Sequence, residues 1–413
     1  MTLPNISLFA EFTNPVAGDF IFDDPATGNF DDGLFAGGAR TDISNYLSGS
    51  VAIRRGRPDF LSDFSPGSCS LTLEDLDRTF DASNASSMFF GDLAPGRLFV
   101  VEAFGVAIYS GRSTQMATVD EWAYGAARVS VTLEDVLASL VRRPMTSWTT
   151  TAQLAGDRIT AVLNRGEVDL PVSQRDIDAG ASMLQADNVS YGSSTLNYLQ
   201  LVARSDLGRL FASAGDVLTF RDRYSTSTAS VALVITDDPS GPLEIEPQKI
   251  SRRNSIRDTY NRVTVDREGG IAQTSMLADA VVDEQGGIRT LTRPGLLLDD
   301  DVDSQSMADW LLYSTQTAEN RITDIELDVT TCEEATAIAV VSLELGDRIE
   351  VSYTPQQVGS AVTAVVLVES ISHNISFNSH RVQLGVSVVT NTTPFVFDDP
   401  AYGLFDGPGL FIF

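Results

Sequence analysis

From Asn261 to Val389 apolar residues repeatedly take every second position, and this period limits the fold more than any other feature of the chain. A period of two puts the apolar side chains of a segment on one face of a strand. Ile349, Val351 and Tyr353 share a face in Arg348–Tyr353, and Val382, Leu384, Val386 and Val388 share one in Arg381–Val389. Ile338–Leu345 and Val362–Ser372 are also expected strands, with turns at Gly346-Asp347 and Asn378-Ser379. Asn261–Asp266 alternates through Val263 and Val265, and a helix is expected at Gln305–Thr317 with Met307, Trp310 and Leu311 inward. Residues 246–392 are therefore expected to form an antiparallel sheet that closes as a β-barrel.

Residues 41–144 show the same grammar in shorter units. Gly49–Ile53, Ser68–Leu73, Arg97–Ala103, Val106–Gly111, Met116–Trp122 and Arg128–Leu133 are expected strands of a first β-barrel, with a hairpin turn at Phe104-Gly105. The stretch Arg54-Arg-Gly-Arg57 to Asn84 runs from basic residues through a Pro66-Gly67 turn and a Leu71/Leu73 strand. It ends in an acidic turn, Glu74, Asp75, Asp77 and Asp81, with Phe80 as its aromatic anchor. Ser70-Leu-Thr-Leu-Glu-Asp75 is echoed by Ser130-Val-Thr-Leu-Glu-Asp135, after which Leu133, Val136, Leu137, Leu140 and Val141 take helical spacing up to Pro144. Residues 145–245 change character to a small α+β module. It has an amphipathic helix within Gln153–Asn164, a helix capped at Ser194 or Thr195, and a hairpin Arg209–Arg221 turning at Gly215-Asp216.

Both ends lack periodicity. Phe20-Ile-Phe-Asp-Asp-Pro25 returns almost letter for letter as Phe395-Val-Phe-Asp-Asp-Pro400. Residues 1–40 and 393–413 are read as extended arms. Phe20, Phe22, Phe30 and Phe35 in one, and Phe395, Phe397, Phe405 and Phe411 in the other, are the expected assembly contacts. Each is worth on the order of 2 to 3 kcal/mol if it finds a pocket.

The 54–84 stretch, the helix and hairpin at 195–221 and the two arms resemble the tail hub, or minor tail protein, of long-tailed phages of actinobacterial hosts. That resemblance implies a mainly β, multidomain protein with two barrels, an α+β module between them and terminal arms. It implies a structural component of the virion tail tip, made in the host cytoplasm. A homotrimeric ring would present six similar units to the tail tube around the DNA exit channel. Its partners would be further copies of itself, the distal tail and tape-measure proteins and other tail-tip proteins. A distal tail ring protein, a carbohydrate-binding receptor protein and a tail-borne cell-wall hydrolase are the alternative readings.

Composition narrows these. A net charge of −28 with a single lysine, Lys249, argues against specific nucleic-acid binding, which needs clustered cations. It suits an acidic wall that DNA slides past. No apolar run reaches the roughly 18 residues of a membrane span, and Met1–Ser7 lacks the basic and apolar regions of a signal peptide, so export by that route is not expected. Cys69 and Cys332, the two cysteines, are expected as free thiols. Catalytic and metal sites are expected to be absent, as are cofactors. No nucleophile elbow, His-Glu-x-x-His, phosphate loop or Cys-x-x-Cys is present. His373 and His380, the two histidines, are expected to stand apart, with Phe377 facing His380 and His373 near Leu384. Asp299, Asp301 and Asp303 open like a calcium loop, but Ser304 stands where its glycine belongs and Trp310 where its bidentate acid belongs. Asp303 or Ser304 is instead expected to cap the following helix. Asp23-Asp24 and Asp398-Asp399 are read as turn formers before proline, and Trp122 and Trp148 as core residues.

Overall fold

The computed structural model describes residues 5–12, 39–121, 126–225, 229–241, 243–254, 259–316, 320–330, 332–357 and 359–388. It is mainly β. The chain begins with β1 (Ile6–Phe12), β2 (Ala39–Asp42), β3 (Leu47–Gly56), β4 (Ser65–Glu74), β5 (Leu98–Ala103), β6 (Val106–Glu121) and β7 (Ala126–Glu134). They pair antiparallel in the order β3-β4-β7-β6-β5-β1-β2. In β4, Cys69, Leu71 and Leu73 are buried while Ser68 and Ser70 are exposed, as the alternation requires. The β5–β6 hairpin turns at Phe104 (φ +52°) and Gly105 (φ +77°), the two left-handed residues of a type I′ turn.

Two expectations fail here. Residues 6–12 are no arm: Ile6, Leu8, Ala10 and Phe12 are buried and β1 pairs with both β5 and β2. Its alternation is genuine but lies beside a turn-rich segment that masks it. The strands expected from Val106 and from Met116 are one continuous strand, β6, which runs to Glu121 and whose pairing with β7 shifts register between Ser113 and Gln115. A bulge there bends the strand without ending it. Beyond β4 the acidic turn is built as expected. Both Asp75 carboxylate oxygens accept from the Phe80 N–H at 3.1 Å. The Phe80 ring meets Tyr46 edge-on at 4.9 Å and stacks on Phe89 at 5.6 Å.

Asp135 then caps α1 (Val136–Val141) by accepting from the Leu137 N–H. The module follows: β8 (Trp148–Thr149), β9 (Gln153–Leu154), α2 (Ala155–Leu163), β10 (Arg175–Ile177), β11 (Met183–Leu184), β12 (Asn188–Val189), α3 (Thr195–Asp206), β13 (Arg209–Ala212) and β14 (Leu218–Arg221). Ser194 caps α3, whose Leu196, Leu199, Val202 and Ala203 are buried. The hairpin β13–β14 is joined in parallel by β10.

The rest comprises β15 (Val231–Thr236), β16 (Glu244–Ile245), β17 (Lys249–Asn254), β18 (Arg262–Arg267), β19 (Gln273–Met276), α4 (Asp279–Glu284), β20 (Thr290–Leu296), α5 (Asp301–Thr315), β21 (Asn320–Asp328), α6 (Glu334–Val341), β22 (Arg348–Tyr353), β23 (Val362–Ser376) and β24 (Ser379–Val388). Four corrections arise. Val231–Thr236, expected in the module, pairs in parallel with β22. β18, β19 and β20 leave the main sheet and form a separate one covered by α5, inserted between the paired strands β17 and β21. Ile338–Leu345 is not a strand: α6 covers its first part, with Ala337, Val340 and Val341 buried at helical spacing. The last hairpin turns at Phe377-Asn378, one residue early, since Ser379 already pairs with Ser376.

No sheet closes into a barrel among the described residues. Strands of both halves join one continuous 14-stranded sheet. The seam is β23, which pairs with β22 along Val362–Leu367 and with β3 along Ser370–Ile375, while β24 runs along its other edge.

Candidate functional site

The seam is where the parts of the molecule meet, and its geometry starts from a bulge. Pairing of β23 with β24 shifts between Val368 and Ser370, so Glu369 is an extra residue at the point where β23 exchanges β22 for β3. Across from it β3 ends at Gly56 (φ +115°), a conformation that favours glycine. A Cβ there would lie 2.3 Å from the Glu369 carbonyl oxygen and 2.4 Å from Ser370 Cα, so the close approach also demands glycine. The next N–H, that of Arg57, donates to that carbonyl at 2.9 Å.

The Glu369 side chain is 2% exposed and carries a full set of donors. Arg57 Nε donates to Oε2 at 2.6 Å, Arg209 Nη2 to Oε1 at 3.1 Å, and Ser387 Oγ to Oε1 at 2.5 Å. Burial alone would raise this carboxyl. The guanidiniums of Arg209 and Arg57 outweigh it and hold the carboxyl down at about 2. One carboxylate thus ties the first residue after β3 in the first half, β13 of the module and β24 of the second half. A second tie runs alongside it. Arg55 Nη1 donates to Glu344 Oε1 at 2.5 Å, and Glu344 Oε2 accepts from the Ala214 N–H at 2.7 Å. Arg54 is exposed, so the basic cluster splits into one outward and two inward residues.

A cavity of about 100 Å³ opens beside this lock, between α3, α5 and the loop after β3. A third feature sits at the tip of the seam. His373 and His380 lie on β23 and β24 with Nδ1 and Nε2 3.1 Å apart, which corrects the expectation that they stand apart. Pairing of His373 with Val382 and Ile375 with His380 puts the two rings diagonally on one face. One ring donates and the other accepts, which needs at least one neutral imidazole. Burial pulls both below the ordinary value, His380 to about 4.

The remaining expectations resolve as follows. All eight arm phenylalanines, Trp122 and both Asp-Asp-Pro turns lie outside the described residues. Trp148 is half-buried beneath the Arg165 guanidinium, 4.8 Å from its ring centre. Asp300, and neither Asp303 nor Ser304, caps α5 by accepting from the Asp303 N–H at 2.8 Å. Asp301 pairs instead with Arg267 at 2.5 Å. Cys69 is buried and Cys332 half-buried, both free. Among the described residues no group of three or more His, Cys, Asp or Glu could hold a metal ion, and no helix is long and apolar enough to cross a membrane. Glu369 and Arg209 were missed by the sequence reading. The available signal was a lone acid directly after the apolar run Val365–Val368, within a strand, a position that a charge occupies only when paired.

This architecture is the fold of phage tail proteins, as the sequence resemblance implied. Over 94% of the chain it is similar to the 43 kDa tail protein of prophage MuSo2 from Shewanella oneidensis, covering 97% of that chain with a TM-score of 0.56 at 13% identity. It is likewise similar over 92% of its length to a tail protein from Neisseria meningitidis MC58, covering 95% of it with a TM-score of 0.58 at 12% identity. No protein-family profile and no curated protein sequence matches the chain.

Proposed function

We propose that the chain is a structural hub of a phage tail tip. Three copies would form a ring that adapts the tail tube to the tip and surrounds the channel for DNA. The observation that carries this reading is the extent of the fold likeness, which spans nearly the whole chain and nearly the whole of two tail proteins. The seam supports it. Two halves held as one body by Glu369 and Arg55 can serve as rigid neighbouring units of a ring, and closed rings are the usual outcome of head-to-tail contacts. In this reading the two halves supply barrel-like units, six from three copies, to a sixfold tube. The net charge of −28 then keeps passing DNA from sticking.

Images of assembled tails carrying a tag on this chain test the proposal. Three copies in one ring at the tube's end are expected, next to the distal tail and tape-measure proteins. Six copies in one ring would instead favour a distal tail ring protein. The same reading gives the chain no turnover of its own. Peptidoglycan incubated with it should release no fragments, and release abolished by replacing one Asp or Glu would overturn the structural role.

A further inference from the structure

The acidic stretch after β4 is built as a cap whose outer side has no role in the contacts described above. Residues 76–93 form successive turns beyond β4, with Phe80, Phe89 and Leu93 buried. Leu76, Met88 and Phe90 are instead 63%, 56% and 49% exposed, and Val119 of β6 is 55% exposed. Arg78, 2.6 Å from Asp120, ties the cap to β6 beside Val119. Exposed apolar residues scattered singly need no explanation, whereas a group of them inside a polar rim marks a contact surface. This rim is acidic: Glu74, Asp77, Asp81 and Asp120. Its cations are Arg78, shared by the last two acids, and Arg128, opposite Glu74.

A surface of opposite sign lies at the other end of the strand order. β17 pairs only with β21 among the described strands, so its outer edge is free. Lys249, Arg252 and Arg253 are exposed on it, and none is in an ion pair with a described residue. They stand together in a chain of 56 acids and 28 bases. The cap, by contrast, adjoins β1, where Phe89 stacks on Phe12 at 4.1 Å. We propose that β17 of one copy docks on the cap of a second copy, with Lys249, Arg252 and Arg253 set against the acidic rim. Exposed ion pairs alone contribute little. Phe90, Met88 and Leu76 supply apolar area to the stems of Arg252 and Arg253, and a guanidinium over the Phe90 ring adds cation–π attraction. Cations on an edge strand discourage strand-to-strand pairing, so the contact is made by side chains. The two patches differ, which makes it head-to-tail, the kind of contact that closes rings. The inference rests on the ring reading above and names the surfaces that meet.

Two batches of full-length chain test it, one carrying Ser86→Cys and the other Gln248→Cys, both exposed positions beside the two surfaces, in a Cys332→Ser background. The batches are mixed, treated with a short bismaleimide and mapped by mass spectrometry. A heterodimer joining the two new thiols is expected, in excess over either homodimer. Arg252→Glu with Arg253→Glu in the Gln248→Cys chain should cut its yield more than about tenfold, since like charges would then face each other. Asp77→Arg in the Ser86→Cys chain should recover part of that loss, and Phe90→Ser should lower the yield of the unreversed pair. The experiment needs no virions, so its failure leaves the hub reading to the images of tails. An excess of the Ser86→Cys homodimer, no heterodimer at any concentration, or a yield indifferent to these changes in variants of unchanged circular dichroism would overturn the proposal.

Discussion

Glu369 shows how one residue can decide whether two sheets act as one. Its carboxylate is buried with both guanidinium partners in place, so removing it leaves Arg57 and Arg209 charged, buried and unpaired. Glu369→Ala is expected to destabilise by about 3 to 5 kcal/mol in chemical unfolding, against less than about 1 kcal/mol for an exposed pair such as Arg142–Glu134. Since its folded value lies below the ordinary 4.5, this stabilisation is present above about pH 4.5 and is lost as pH falls towards about 2. The histidine pair acts in a different window. Both imidazoles are depressed in the fold, so their stabilisation is present above the ordinary 6.5 and is lost as pH falls through about 4. Asp135, Asp206 and Asp216 oppose this trend. Burial raises them to about 7, 6 and 6, so their contribution is largest at low pH and declines as pH rises through those values. A difference measurement separates the two. The Tm of wild type minus that of His373→Gln/His380→Gln should fall steadily from pH 7 to pH 4, and a flat difference would show that the pair does not titrate with unfolding.

Single elements carry the seam, and Gly56 is the one most exposed to substitution. A side chain there meets the backbone of Glu369 and Ser370 at 2.3 and 2.4 Å in a left-handed conformation, so neither partner can yield cheaply. Gly56→Ala should cost more than about 1 kcal/mol, whereas Gly49→Ala, also left-handed but with open space around it, should cost less. Urea midpoints of the two variants check the order. The elements also show what was legible in the sequence. Alternating strands with Gly- and Asp-rich turns between them were found because period and turn chemistry are both local. Ile338–Leu345 was misread as a strand because its first part, Ile338–Val341, is a short run that is apolar all round and has no period to tell helix from strand. Gly56 stood in plain sight between Arg55 and Arg57, but what it approaches lies more than 300 residues on in the chain, where no local pattern reaches.

At the scale of the whole molecule the order of parts was legible, and the insertion was not. Val263 and Val265 alternate just as barrel strands do, and a period says nothing about which sheet a strand joins. In the structure β18, β19, β20 and α5 bury their own cluster, with Val263, Val265, Leu296, Leu298, Met307 and Leu311 at its centre. The strands on either side of the insert belong to the main sheet and pair with each other from Lys249↔Glu326 to Asn254↔Asn320. Replacing residues 255–319 by a short Gly-Asn turn would therefore leave a plain hairpin, the connection that adjacent antiparallel strands use most. What the shortened chain loses is contact with its neighbours. The Leu297 N–H donates to Ser205 Oγ at 2.9 Å, Arg293 to the Leu61 carbonyl at 2.6 Å and Gln185 to the Glu268 carbonyl at 2.8 Å. The expected product is a soluble chain with a β-type circular dichroism spectrum, one cooperative unfolding transition and a lower Tm. A product without a cooperative transition would instead mean that the insert is part of the folding core of the main sheet.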